Sequence, residues 1–159
     1  MDWNIVAIFS RWLHVITACV AIGSVFFLYV LLPIGLRGLD PVARDGAYLR
    51  CRRGLKMVFH SAVLLFLATG TYNAINAWKY YTRYPAVLHG LFGVHLLLAL
   101  TAIALLLAAF AGREPRRSNA SLLRWSLVAM FLAVAAASTL KAGREWVMVH
   151  PNWSPPSGK

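Results

Sequence analysis

Three stretches of this chain contain no lysine, arginine, aspartate or glutamate: Trp12 to Leu36, Met57 to Trp78, and Tyr84 to Gly112. Each reaches or exceeds the roughly 20 residues an α-helix needs to cross ~30 Å of hydrocarbon. A fourth stretch, Leu122 to Leu140, is interrupted near its start by Arg124, and an arginine one turn inside a helix end can extend its charge to the headgroups. Together with a hydrophobic content of 60%, these runs predict an all-α integral membrane protein. Short connections make it an antiparallel up-down four-transmembrane-helix bundle. The expected domain covers residues 1–140, with helices at about 4–36, 55–78, 84–112 and 120–140, followed by an extramembrane tail over 141–159. Pro33 and Gly35 end the first helix, Pro85 starts the third, and Gly112 with Pro115 closes it.

The net charge of +11 would suggest nucleic acid in a water-soluble chain. Here the basic residues gather in the connections between spans, where a lipid bilayer is the expected partner and nucleic acid is not. Arg37, Arg44, Arg50, Arg52, Arg53 and Lys56 occupy the first connection, read as a basic loop; Arg113, Arg116, Arg117 and Arg124 occupy the third. The other side holds only Arg11, Lys79, Arg83, Lys141, Arg144 and Lys159. The positive-inside rule then makes the first group cytoplasmic and turns both termini to the outer side. Met1 to Ser10 lacks the basic region of a cleaved signal peptide. Cys19 and Cys51 fall at different depths, which argues against a disulfide between them.

The chain's chemical vocabulary is narrow. All five acidic residues lie outside the spans, so no intramembrane carboxylate is available to bind a cation or relay a proton. The motifs GxSxG, Walker A and HExxH are missing. Four histidines remain inside the spans: His14, His60, His89 and His95. An imidazole in lipid must be hydrogen-bonded, paired or metal-bound, so these nominate a site.

Depth separates them. Counting ~1.5 Å per residue inward from the aromatic residue taken as each outer boundary, His14 lies about 3 Å below Trp12 and His89 about 8 Å below Tyr84. His95 comes out near the bilayer middle, and His60 near the cytoplasmic face. Two level histidines on separate helices can hold a haem iron axially, so His14 with His89 is the expected ligand pair and His95 or His60 the substitutes. Ala18 and Ala21 share the face of His14 and leave room for a flat macrocycle. Arg11 is the expected partner of a haem propionate, with Lys79 or Arg83 as further candidates. The bland reading is that each histidine merely hydrogen-bonds a carbonyl, hydroxyl or water, and it applies best to His60 and to His150 in the tail. Copper binding is the alternative cofactor assignment, resting on histidines and scattered methionines such as Met57.

The run Arg11-Trp-Leu-His-Val-Ile-Thr-Ala with Gly23-Ser-Val-Phe-Phe, and the later run Leu88-His-Gly-Leu-Phe-Gly-Val-His-Leu-Leu-Leu-Ala-Leu, resemble helices of the CopD-like group of bacterial membrane proteins. That group takes in HemJ-type protoporphyrinogen oxidases and the membrane part of PuuD-type urate oxidases. The resemblance implies a small helical bundle holding haem b, or copper handling of the CopD type. The chain departs from the HemJ pattern where His95 stands in place of a lysine, which points away from porphyrinogen oxidation. The expectation is therefore a cytochrome-like protein for electron transfer, exchanging with a quinone or a periplasmic redox protein. A non-catalytic subunit of a membrane complex is the other alternative. Ala133, Ala136 and Ala137 present a small-residue face suited to a homodimer.

Overall fold

The computed structural model describes residues 5–81, 86–111 and 117–149. Among them there is no strand. Helix α1 spans Ile5–Phe26 and passes through a π-helical segment, Phe27–Leu31, into the short α2, Leu32–Gly35. The widened turn precedes Pro33, which has no N–H to donate back into the helix; the Leu32 N–H bonds to the Phe27 carbonyl instead. Helices α3 (Pro41–Tyr81), α4 (Ala86–Ala111) and α5 (Arg117–Val149) complete the chain. Four helical units are long and apolar enough to cross a membrane, and they form a four-helix bundle.

Two expected boundaries are corrected. The basic loop is mostly helix, because α3 begins at Pro41 rather than near 55. Asp40 caps it, its Oδ1 accepting the N–H groups of Val42 at 3.0 Å and Ala43 at 3.1 Å, with Pro41 at the first helical position. At ~1.5 Å per residue the 41 residues of α3 run about 62 Å, twice the hydrocarbon thickness. The tail also starts late, since α5 continues through Lys141 to Val149. Gly143 permits this: a Cβ there would stand 2.7 Å from Leu88 Cδ2 on α4. The proposed boundaries at Pro85, Gly112 and Pro115, together with Arg83 and His150, lie outside the described residues, as does the side chain of Lys79.

Helix α1 packs along α3, and α4 along α5, while the two hairpins meet more sparsely, even though α3 and α4 are consecutive. One end of the bundle is solid. There Val25, Leu28, Phe59, Leu106, Phe110, Leu123 and Leu127 interlock, and Arg52, only 6% exposed, donates from Nη2 to the Ala109 carbonyl at 2.9 Å. Its guanidinium also lies 5.5 Å from the centre of the Phe110 ring. Toward the opposite end Ala77, Leu88, Leu140 and Val147 form a second, smaller cluster. Large apolar side chains stand exposed on every long helix, including Ile16, Leu64, Leu97 and Phe131, as befits surfaces covered by lipid rather than water.

Candidate two-histidine site between the hairpins

Between the two clusters, where the hairpins part, lies a cavity of about 450 Å³ lined by all four long helices. That volume falls within the ~300–1,000 Å³ range of small-molecule and cofactor sites. Alanines make the room: Ala18 and Ala21 on α1, Ala62 on α3, Ala99 and Ala102 on α4, Ala133 and Ala137 on α5. The lining is otherwise almost wholly apolar. Its exceptions include two histidines, His14 and His95, and at one end Ser138 and Lys141.

His14 belongs to the α1–α3 hairpin. Its ring stacks on Phe66, with centroids 4.1 Å apart and planes 26° from parallel, and its Nδ1 lies 3.0 Å from Thr69 Oγ1. Gly70 lets the ring approach: a Cβ at that position would meet His14 Cε1 at 3.2 Å. Ser10, Thr17 and Thr69 are all buried here, forming a polar seam in an otherwise apolar pair, with Ser10 Oγ donating to the Thr69 carbonyl at 3.5 Å. In a membrane such seams hold helices together where apolar side chains have no preference for protein over lipid.

His95 belongs to the other hairpin. Its Nδ1 lies 2.9 Å from the Ala133 carbonyl oxygen of α5. A carbonyl can only accept, so His95 Nδ1 carries a proton, and in the neutral ring the lone pair is then on Nε2. The carbonyl is within reach because helical carbonyls point toward the following turn, where residues 136 and 137 are both alanine. The alanines expected to form a dimer face are thus used inside the molecule in part: Ala133 is buried, and both Ala133 and Ala137 line the cavity.

The two imidazoles stand at one depth. Ala77, Leu88 and Leu140 meet in the smaller cluster and so mark a common level on α3, α4 and α5. From that level Thr69, the partner of His14, is eight residues deeper along α3, or about 12 Å; His95 is seven residues deeper along α4, and Ala133 seven deeper along α5, each about 10 Å. The other candidates stand elsewhere. His89 is exposed and does not line the cavity; six residues of helix turn it about 120° around α4 from His95. His60 is exposed, its Nδ1 donating to the Lys56 carbonyl of its own helix at 2.6 Å. Arg11 is likewise exposed and absent from the lining, and the cation that reaches the cavity is Lys141, with Glu145 3.8 Å away on the surface.

No family model, curated protein or solved structure matches this chain. Chemically, two imidazoles facing one apolar cavity can, in their neutral forms, supply two donors to a metal that brings its remaining ligands with it. They are too few to enclose a bare ion, and among the described residues no group of three or more histidine, cysteine, aspartate or glutamate side chains comes together.

Proposed function

We propose that the protein is a b-type cytochrome of a bacterial inner membrane, in which His14 and His95 would hold the iron of a haem in the cavity between its hairpins. The observation that carries this reading is the pairing of two imidazoles, one from each hairpin, at the same depth in a single alanine-lined cavity. The residues suit the group. Phe66 fixes the plane of the His14 ring, the Ala133 carbonyl fixes the tautomer of His95, and Lys141 offers a cation at the cavity's end for the haem carboxylates. When bound, a haem with two imidazole ligands supplies reversible one-electron chemistry and leaves the iron no open position.

The physiological role in this reading is electron transfer, with a quinone or a periplasmic redox protein as the partner. The basic residues around Arg37 to Lys56 support a cytoplasmic side at that end of the bundle, which in this reading turns the Trp78 end, toward which Lys141 lies, to the periplasm. The test is spectroscopic. Protein expressed with haem supply and purified in detergent is expected to show Soret and alpha bands of a six-coordinate b haem after reduction. Stoichiometric copper without such bands would replace this assignment with metal handling.

A further inference from the structure

Thr69 has only one kind of hydrogen bond left to offer His14. Its Oγ1 lies 2.7 Å from the Leu65 carbonyl oxygen and 3.4 Å from that of Phe66. Both are pure acceptors, and a hydroxyl has a single proton, so the short bond to Leu65 consumes it. Toward His14 the oxygen can present only lone pairs. The 3.0 Å contact then requires His14 Nδ1–H to donate, leaving Nε2 unprotonated.

We propose that Thr69 is a positioning residue that holds His14 in the Nδ1–H tautomer and so keeps its Nε2 lone pair available to a metal. The identity of that metal rests on the haem reading; the tautomer does not. Each histidine of the site is thus braced by its own hairpin partner, α3 for His14 and α5 for His95, but with a difference. The acceptor for His95 is backbone and cannot be removed by substitution, whereas the acceptor 3.0 Å from His14 Nδ1 is a side chain. Thr69 is therefore the position at which this sequence adjusts one ligand independently of the other. An acceptor on Nδ1–H makes an imidazole a stronger donor through Nε2, which favours the oxidised metal.

The experiment begins with the full chain produced without haem supply, labelled with ¹⁵N-histidine and read by long-range ¹H–¹⁵N correlation at a pH where the imidazoles are neutral. Wild type and Thr69→Ser are expected to show His14 protonated at Nδ1 and bare at Nε2, while Thr69→Val shows the Nε2–H form. A proton on Nε2 in the wild type overturns the proposal, as does a Thr69→Val spectrum identical to wild type; if the valine variant does not fold, the wild-type and serine spectra still decide. With haem loaded, the midpoint potential of Thr69→Val is expected above that of wild type and Thr69→Ser to restore it. An unchanged potential would leave Thr69 a structural residue only. Failure of wild type to take up haem would reject the haem reading alone, since the tautomer is read without haem.

Discussion

His14 on α1 and His95 on α4 face one cavity at the same depth, about 10–12 Å below the cluster of Ala77, Leu88 and Leu140. They come from different hairpins, so the site exists only when the two hairpins are assembled. Positions that set their approach are the sharpest places to test it.

Gly70 is one. A Cβ added there would stand 3.2 Å from His14 Cε1, so the ring must shift by a few tenths of an ångström. Gly70→Ala should change unfolding stability by no more than about 1 kcal/mol, since helix propensity gained offsets the contact. Haem affinity should fall roughly 10-fold, as when a residue supporting a ligand is altered. Haem titration beside detergent unfolding of the haem-free protein separates the two effects.

Arg52 fastens α3 to the last turn of α4. The charge is buried, bonded to a carbonyl at a helix C-terminus and set against the Phe110 ring, all favourable to a cation. Arg52→Ala should destabilise the bundle by about 2 kcal/mol or more, and Arg52→Lys by less. Stability in denaturant titration should drop without a change in the haem spectrum, because Arg52 does not line the cavity.

Gly143 is a third. Its missing side chain accommodates Leu88, so Gly143→Val should push α4 and α5 apart near the Trp78 end and cost about 1–3 kcal/mol. Thermal unfolding of the haem-free protein in detergent measures it, and a stability equal to wild type would mean that Leu88 moves aside freely.

Three charge-free runs and a fourth interrupted by Arg124 near its start were enough to place the four spans, because hydrocarbon excludes ionised side chains regardless of packing. The ends were less legible. Asp40-Pro41 is a readable helix start, yet the many arginines after it suggested a loop, although arginine is a good helix former outside a membrane. At α1 the depth count was taken from Trp12; the helix itself begins at Ile5, close to the expected start, and Arg11 and Trp12 are exposed on it. Counting from Trp12 and Tyr84 paired His14 with His89, whereas in the structure His14 and His95 line one cavity and His89 does not. The turn of the helix, which separates His89 from His95 around α4, is not contained in depth at all. Thr69 was overlooked because a threonine in a span carries no chemistry until its neighbour across the interface is known. The alanines beside His14 were legible, and Ala18 and Ala21 do line the cavity.

The most direct measurement is the reduced-minus-oxidised spectrum of detergent-purified protein, expressed with haem supply, compared across wild type, His14→Ala, His95→Ala and His89→Ala. Wild type and His89→Ala are expected to share the same six-coordinate b-type bands at equal haem content, while His14→Ala and His95→Ala lose the bands or shift to a five-coordinate form. Loss of the bands in His89→Ala with His95→Ala intact would contradict the account.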